Sequence, residues 1–501
     1  MVPATTPAKK RIYLNFFDFF NAGNHMSPGQ WLDPADKCYT KDRLPYWLNL
    51  ARLAEEGKIS FIFLADTYAG HEVYGGTLEP QLRSSAQAAV MDPFLVVPAM
   101  ASVTKTVGFG VTGSTSYLNP YILARSLSSL DHLTEGRVAW NVVTSWSQST
   151  ADALGASGVV AHDERYAIAQ EYMDVCYKLW ESSWSDDAVV RNIETRTAFD
   201  YHQIKRIQHE GKYLKTNAPH QTHPSPQRTP VLFQAGTSKL GRQFASKHAE
   251  CIYIGGLVPS SSAADVAAIR ALAAASGRDP ASLKFFVGIS PIIGKTLEEA
   301  QAKYERARQN ADFIGGLSQF SGYTGIDLSR FPVDDVFDLK DAPNDMAVHG
   351  ILNAFNKASG SETQWTPRML GEKMALGGLH PAPVGTPEMV ADVFEEWIDG
   401  CDVDGFNISY TTSPGSFEDV VYLLRPELVK RGLMWEDYDV PGGTLRENLL
   451  GKGMCRLPEE HYGSRFKWGR GGEVMKDDGD VVKPHVNGAG ASTLSAAGGT
   501  A

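Results

Sequence analysis

The segment GRVAWNVVTS, residues 136–145, decides the architecture that this sequence predicts. Its middle, Val138–Val143, is short, mostly apolar and preceded by a glycine, a pattern typical of a strand buried on both faces of a sheet. Asn141, Thr144 and Ser145 stand in its second half. Because polar side chains suit the carboxyl end of such a strand where a ligand satisfies them, we predict that the segment ends at a pocket floor. The alternative is an ordinary core strand that enters a Ser/Thr loop.

Similar apolar runs alternate with helical patterns along most of the chain. We predict strands at residues 11–20, 59–65, 107–112, 138–143, 230–235, 251–255, 283–293 and 405–410. Apolar residues at helical spacing predict helices between them, for example at 42–57 and 163–179. About eight strand–helix units favour an α/β fold, a (β/α)8 TIM barrel, over an open doubly wound sheet. No GxGxxG motif follows the first strand, which counts against a Rossmann domain.

Two long irregular segments interrupt this rhythm, a polar one at about 180–228 and another at 311–363. We interpret both as insertions into one barrel domain that covers residues 11–450. Residues 1–10 are predicted to be a flexible N-terminus, and residues 451–501 a C-terminal extension. After Lys476 the extension is rich in Gly, Ala, Ser and Asp, which predicts disorder.

Composition excludes several classes of protein. The net charge of −11 argues against a nucleic-acid binder, which needs a basic face. The five cysteines are scattered without a CxxC motif, which fits a reducing compartment and a cytoplasmic location. No apolar run approaches the length of a membrane span, and the N-terminus has no secretory signal pattern. We therefore expect a small-molecule substrate rather than a nucleic acid or a membrane.

The polar groups predicted at the mouth of the barrel are mostly neutral. They are His25, Asp66, Ser114, Asn141, Thr144, Ser145 and Ser238. A hydrolytic metal site needs several His and carboxylate ligands, and a glycosidase needs two carboxylates, of which only Asp66 is clear and Glu72 a loop candidate. We therefore predict no metal site. Neutral amides and hydroxyls suit a large planar polar cofactor better.

The segment GTSKLGR, residues 236–242, is the candidate phosphate site. Gly236 and Ser238 let backbone N–H groups approach an anion, and the following helix directs its positive end there. Lys239 or Arg242 would add charge, and an ordinary helix cap is the alternative.

Two further pairs of residues have both a structural and a functional interpretation. His162 and Tyr166 lie in the segment HDERY. In the structural interpretation His162 caps the helix and Tyr166 is a core aromatic, and in the functional interpretation both contact a ligand. His25 and His71 lie in Gly-rich loops, where a histidine is either a surface residue or a catalytic group.

Several blocks together resemble one family. They are HMSPGQW (25–31), FLAD (63–66) with YGGT (74–77), GRVAWNVVTS (136–145), HDERYAIAQEYMDV (162–175), QHEGKY (208–213), PVLFQAGTSKLGRQFASKHA (230–249), PVGTP (383–387) with DGFNISY (404–410), and 414–450 ending in TLRENLL. In this order, over roughly residues 10–450, they resemble the two-component flavin monooxygenases of the bacterial luciferase-like superfamily. The nitrilotriacetate and dibenzothiophene-sulfone monooxygenase branch is the most similar.

The resemblance implies a TIM barrel that uses reduced FMN, supplied by a separate NAD(P)H:flavin reductase, and O₂. A C4a-peroxyflavin would then oxygenate a small organic substrate. Position by position, the flavin contacts would be Asp66, Ser114, Asn141, Ser145, His162, Tyr166 and Ser238, to which the local patterns add Thr144 and Gly236. His25 would face the substrate, and His71 is a second catalytic candidate in a loop that varies within the family.

The resemblance also implies a homo-oligomer, a dimer or tetramer, and insertions that act as lids over the flavin. Two alternatives stay open. One is a deazaflavin-dependent dehydrogenase, which shares the barrel, and the other is a catalytically silent flavin-binding relative.

Overall fold

Eight parallel strands close into a barrel in the computed structural model, which describes residues 9–336 and 365–470. The barrel strands are β1 (Tyr13–Phe19), β2 (Phe61–Ala65), β3 (Gly108–Ser114), β4 (Val138–Val143), β5 (Val231–Ala235), β6 (Cys251–Ile254), β7 (Lys284–Ile289) and β8 (Gly405–Ile408). Each pairs with the next in chain order, and β8 closes the barrel onto β1. The predicted (β/α)8 TIM barrel is confirmed.

Helices surround this barrel. They are α1 (Leu44–Glu56), α2 (Glu79–Ser84), α3 (Val97–Ala101), α4 (Pro120–Leu133), α5 (Gln148–Ala153), α6 (His162–Tyr177), α7 (Lys239–His248), α8 (Ala263–Ala275), α9 (Leu297–Asn310), α10 (Phe313–Thr324), α11 (Pro367–Met374), α12 (Pro387–Cys401), α13 (Gly415–Asp419), α14 (Arg425–Lys430) and α15 (Leu445–Leu450). A π turn extends α6 through Lys178–Ser182, and another, Val420–Leu424, joins α13 to α14. The apolar stripes of the longer helices pack on the outside of the strands.

Glycines in β3 make room for large side chains inside the barrel. A Cβ on Gly110 would lie 2.7 Å from the ring of Phe233, and one on Gly108 would lie 2.7 Å from Leu445. Leu445 and Leu449 of α15 join the aromatic rings of the strands in one buried cluster. α15 therefore closes the amino end of the barrel, and the carboxyl ends of the strands are left for a ligand.

Two predicted elements were wrong. The single strand expected at 283–293 is β7 followed by a separate short strand, Ile292–Ile293, which pairs with Val384–Gly385. Pro291 separates them because it has no N–H to continue the ladder.

The second error concerns the start of the segment 311–363, where the structure forms α10. Its helical period is hidden because the helix is buried on most sides. Gly316 allows this close approach, since a Cβ there would lie 2.1 Å from the carbonyl oxygen of Gly371 in α11.

The other insertion, 180–228, contains two small antiparallel hairpins. Val189–Asn192 pairs with Thr197–Phe199, and Ile207–Glu210 pairs with Lys215–Ala218. The domain limits remain predictions, and residues 337–364 of the second insertion lie outside the described residues.

The chain ends are described only in part. Residues 451–470 pack back on the barrel, where Trp468 donates its backbone N–H to Glu181 at 2.9 Å. Residues 1–8 of the flexible start predicted at 1–10, and the disorder predicted after Lys476, fall outside the described residues, whereas Lys10 is described and pairs with Asp402 at 2.6 Å. Within those residues, none of the helices combines the length and the apolar character needed to cross a membrane.

Candidate active site

A cavity of about 730 Å³ opens at the carboxyl ends of the strands. All predicted site residues except Ser114 line it: His25, Asp66, His71, Asn141, Thr144, Ser145, His162, Tyr166, Gly236 and Ser238. They come from β1, β2, β4 and β5 and from the loops and helices that follow these strands. The fold therefore brings together residues that are up to 213 positions apart in the sequence.

Ser114 lies directly behind the cavity wall. It is fully buried, and its hydroxyl accepts hydrogen bonds from Ser145 Oγ at 2.8 Å and from the backbone N–H of Ser116 at 3.2 Å. The structure thus places Ser114 where it orients Ser145.

One end of the cavity is a small concave surface that we name the anion cradle, formed by Gly236, Thr237, Ser238 and the hydroxyl of Tyr166. Gly236 has φ +150°, and a Cβ there would lie 2.8 Å from Gln234 Nε2 and 3.1 Å from the Tyr166 hydroxyl. The position therefore requires glycine. Ser238 caps α7, because its Oγ accepts the N–H of Gly241 at 3.0 Å. The capping interpretation is correct, and it leaves the helix N-terminus directed at the cavity.

Tyr166 is held in place by two residues of α7 and its cap, Phe244 and Ser238. Its ring meets Phe244 edge-on at 5.8 Å, and its hydroxyl hydrogen-bonds Ser238. Burial raises the pKa of Tyr166, so the hydroxyl is a donor at neutral pH. His162 is half exposed beside it, and its Nδ1 is 2.8 Å from Asp163.

Arg165 is a cation of the cavity lining that was not predicted from the sequence. Arg242 instead pairs with Asp265 at 2.6 Å, and Lys239 is exposed outside the lining. Arg165 lines the cavity, with Nη1 donating to the carbonyl of Ser145 at 2.9 Å and with a buried, unpartnered Nε. The sequence offered one signal for Arg165, its position directly before Tyr166 in the first turn of α6.

Asn141 lines the cavity and has an unpaired side-chain oxygen. The Thr112 hydroxyl donates to the carbonyl of Leu64 at 3.0 Å, so it accepts from Asn141 Nδ2, also at 3.0 Å. This chain of donors fixes the amide orientation. Asn141 Oδ1 is consequently buried without a partner and is available to accept a hydrogen bond from a ligand.

Asp66 ends β2 at the cavity wall. Burial, together with the nearby carboxylate of Asp92, raises the pKa of Asp66 to about 7. At neutral pH this carboxyl therefore exchanges between a proton-donating and a charged form.

Gln87 links the two histidines proposed as catalytic. Its Nε2 donates to the backbone carbonyl of His25 at 3.3 Å and to the Tyr323 hydroxyl at 2.6 Å. Its Oε1 then accepts from His71 Nε2 at 3.2 Å, which sets the His71 tautomer. Burial lowers the pKa of His71, so the ring is neutral.

His25 is buried among aromatic rings. It meets Phe17 and Phe19 edge-on at 4.2 and 4.5 Å, and its Nδ1 has no partner. Burial, together with His380 and Lys41 nearby, lowers the pKa of His25 well below its usual range. The imidazole is therefore neutral, with a nitrogen free for a ligand.

A buried ion pair supports the His25 loop from below. Lys41 Nζ lies 2.6 Å from Asp18, and both side chains are fully buried. Tyr410 donates to the same carboxylate at 2.7 Å, and its hydroxyl accepts the backbone N–H of His25 at 3.2 Å. This network fixes where the His25 ring stands.

His380 is a second imidazole that sequence reasoning missed. It lines the cavity with an unpartnered Nδ1, and burial lowers its pKa to about 4. Gly288 in β7 makes room for it, because a Cβ there would lie 2.2 Å from His380 Nε2. Its Gly/Pro-rich segment, GGLHPAP, was the only local signal.

Asn407 was missed as well. It is a polar residue inside the apolar strand β8, the same signal that identified Asn141, and its side chain hydrogen-bonds Asn15 next to the cavity.

Stacked rings form the floor of the cavity on this side. Phe63 stacks on Phe17 at 5.1 Å and on Tyr253 at 4.6 Å, both with interplanar angles of 11°. We name Phe17, Phe63, Tyr253, His25 and His380 the aromatic end. The cavity is thus lined by three sets of groups, the anion cradle, the hydrogen-bonding groups and the aromatic end.

Comparison with known proteins assigns the chain to a class. The luciferase-like monooxygenase family model matches residues 14–401, and the chain therefore belongs to the luciferase-like monooxygenase family.

Individual relatives match over nearly their whole length. The long-chain alkane monooxygenase of Geobacillus thermodenitrificans (strain NG80-2) is 41% identical over 458 residues, 91% of this chain and 98% of that protein. The dimethyl-sulfide monooxygenase of Hyphomicrobium sulfonivorans is 40% identical over 479 residues, which are 96% of this chain and 98% of that protein. Nitrilotriacetate monooxygenase component A of Aminobacter aminovorans is 34% identical over 451 residues, which are 88% of this chain and 97% of that protein. The predicted branch is confirmed.

Solved structures agree. The crystal structure of DmoA from Hyphomicrobium sulfonivorans superposes with a TM-score of 0.86 at 40% identity and covers 95% of this chain and 99% of that chain. Riboflavin lyase (RcaE), solved with modified FMN and riboflavin, superposes with a TM-score of 0.82 at 35% identity and covers 91% of this chain and 100% of that chain. An F420-dependent secondary alcohol dehydrogenase, at 14% identity and a TM-score of 0.53, shares the fold alone.

Proposed function

We propose that this protein is a monooxygenase that binds reduced FMN and uses O₂ to oxygenate a small organic substrate. The observation that carries the proposal is one cavity with an anion cradle at one end and an unpaired, buried amide oxygen, Asn141 Oδ1, in its middle. Family membership supplies the monooxygenase chemistry.

The residues present fit FMN. The cradle offers backbone N–H groups at the N-terminus of α7 and two hydroxyls, Tyr166 and Ser238, which suit a phosphate. Arg165 adds a positive charge to the cavity lining beside Ser145. Asn141, Thr144, Ser145 and Asp66 line the middle, where the neutral amide and hydroxyls and one carboxyl suit the N–H and C=O edge of a flavin ring. Ser114 acts through Ser145.

When bound, reduced flavin would supply the two electrons with which one atom of O₂ enters the substrate and the other leaves as water. The protein holds its ligands, keeps water from the reacting atoms and positions proton donors and acceptors.

His25 is the proposed catalytic residue at the substrate side. Its ring is neutral, its Nδ1 is buried without a partner in a residue that lines the cavity, and its backbone is fixed by Tyr410 and Gln87. It would hydrogen-bond the substrate or exchange a proton with it. His71 is bonded to Gln87 and is better placed to fix the Gln87–His25 link, although it also lines the cavity.

A separate protein would supply the reduced flavin. One relative is named as component A of its monooxygenase, which supports a two-component system with an NAD(P)H:flavin reductase as partner. The homo-oligomeric state, a dimer or tetramer, remains a prediction.

The test is an anaerobic titration of the protein with reduced FMN, followed by rapid mixing with O₂. We expect saturable binding, and then an absorbance transient before oxidised FMN appears. Tight binding with no transient would favour a deazaflavin-type dehydrogenase or a silent flavin binder. If FMN bound in neither redox state, the proposal would be wrong.

A further inference from the structure

The aromatic end identifies the class of substrate, an inference that rests on the proposed function. Its floor is three stacked rings from β1, β2 and β6, and Phe63 in the middle is 4% exposed. Flat, apolar surface of this kind binds ligands by excluding water from both partners, without charge.

Each polar atom offered beside these rings belongs to a neutral group. His25 and His380 each present a buried Nδ1 without a partner, and the Tyr253 hydroxyl is also unpartnered. Both imidazoles lie against Phe17, His25 at 4.2 Å and His380 at 5.9 Å between ring centres, so they flank the same ring. They can hold one polar atom of a ligand, but neither balances a carboxylate.

The charges that line the cavity lie elsewhere. Among the described lining residues, the carboxylate is Asp66 at the end of β2, and the guanidinium is Arg165, which donates to the backbone carbonyls of Thr144 and Ser145.

Two lysines lie close to the aromatic end without lining the cavity. Lys41 is neutralised by Asp18 at 2.6 Å. Lys373 lies near His380 and is not a lining residue, and burial lowers its pKa to about 8. An anion bound on the rings would therefore lose its hydration without gaining an ion pair from the lining.

We propose that the substrate is an uncharged, mostly apolar molecule with at most one polar group, which binds on the Phe17–Phe63–Tyr253 rings with its polar atom against His25 and His380. Polycarboxylates are excluded from this site. Sulfides, sulfones and hydrocarbons have the required chemistry.

The experiment compares probes that differ by one charge. Methyl phenyl sulfide and methyl phenyl sulfone are the uncharged probes, and 4-(methylthio)benzoate is the matched anion. Binding is measured by titration calorimetry on the full chain, with and without oxidised FMN, so the readout does not depend on turnover. We expect an uncharged probe to bind at least about tenfold more tightly than the anion, with a negative heat-capacity change from apolar burial.

A charge introduced into the lining tests the same point from the other side. Leu379 lines the cavity next to His380 and is half-buried. Leu379→Lys should raise the affinity for 4-(methylthio)benzoate about tenfold or more, whereas the matched control Leu379→Met should keep the wild-type preference. If Leu379→Lys does not fold, the comparison on the wild-type protein still decides the question.

The inference is overturned if the anion binds as tightly as the uncharged probes, or if neither uncharged probe binds. Failure of the proposed function would look different, because the protein would then bind no FMN while its preference among the probes could still be measured.

Discussion

At the scale of single residues, the site depends on neutral groups held by buried charged ones. The backbone of His25 is tied to Tyr410, which is itself bonded to the Asp18–Lys41 pair. An ion pair removed from water contributes little net stability, but it places its hydrogen-bond partners firmly. The ring of His25 can therefore stay neutral while its position is fixed by charge.

His25→Ala should lower substrate-dependent product formation by about 100-fold, since it removes the free imidazole nitrogen, while FMN affinity stays close to wild type. The rate of product formation is measured in the presence of a flavin reductase, and FMN affinity is measured by titration. The exposed His202 provides the control variant, His202→Ala. Full turnover in His25→Ala with intact flavin binding would remove His25 from the mechanism.

Asp66 predicts a specific dependence of stability on pH. Its pKa is about 7 in the folded protein and near 3.8 when unfolded. Between these values the folded chain keeps a proton that the unfolded chain has lost, so the free energy of unfolding falls as pH rises through this window. Asp66→Asn removes this contribution and should gain stability relative to wild type on going from about pH 5 to about pH 8.

Chemical denaturation of both proteins across this range measures the effect. Exposed Asp187→Asn is the matched control and should follow the wild type at every pH. Parallel curves for wild type and Asp66→Asn would show that Asp66 titrates at an ordinary pKa.

At the scale of elements, the loop between β5 and α7 makes the anion cradle. Ser238 satisfies one N–H of α7, while the remaining amino-terminal N–H groups of the helix lie toward the cavity. Gly236 turns the chain at φ +150°, so no side chain fills the space beneath Tyr166.

Gly236→Ala should weaken FMN binding about tenfold or more, because its Cβ would meet Gln234 and Tyr166 and its φ disfavours a side chain. The affinity for riboflavin, which lacks the phosphate, should fall by a smaller factor. Gly415→Ala is the control, since a Cβ there meets nothing within 4 Å. Equal losses for FMN and riboflavin would place the effect outside the phosphate site.

At the scale of the whole molecule, a C-terminal helix holds the barrel closed at the amino end. Arg446 of α15 is fully buried and pairs with Glu250 through two contacts of 2.6 and 3.0 Å. It also donates to the carbonyl of Thr229, just before β5, at 2.9 Å. The helix therefore joins the C-terminal part of the chain to β5 and β6.

Arg446→Met should reduce the free energy of unfolding by roughly 3–5 kcal/mol, because it leaves the Glu250 carboxylate buried without its cation. Urea denaturation measures the loss. The double variant Glu250→Gln with Arg446→Met removes both charges and should lose less than the single variant. A double variant that loses the sum of both single effects would show that the pair is not coupled.

The sequence by itself determined the barrel and one side of the site. Alternating apolar strands and helices predicted the eight-stranded fold, and polar residues at strand ends predicted Asn141, Ser145 and Asp66. The Gly-Thr-Ser turn before α7 predicted the cradle. These signals are local, because strand ends, helix caps and glycine turns are set by neighbouring residues.

Only the tertiary structure decided the aromatic end and the supports of His25. Phe17, Phe63 and Tyr253 look like ordinary core residues in their own strands. Phe17 and Phe63 are paired on the neighbouring strands β1 and β2, whereas Tyr253 of β6 meets Phe63 only because the barrel closes. Helix α10 was missed because burial on most of its surface removes the amphipathic period. His380 reaches the cavity over Gly288, a contact between segments with no shared pattern. The chemical character of the cavity depends on such convergence, because side chains from distant strands together set its charge and polarity.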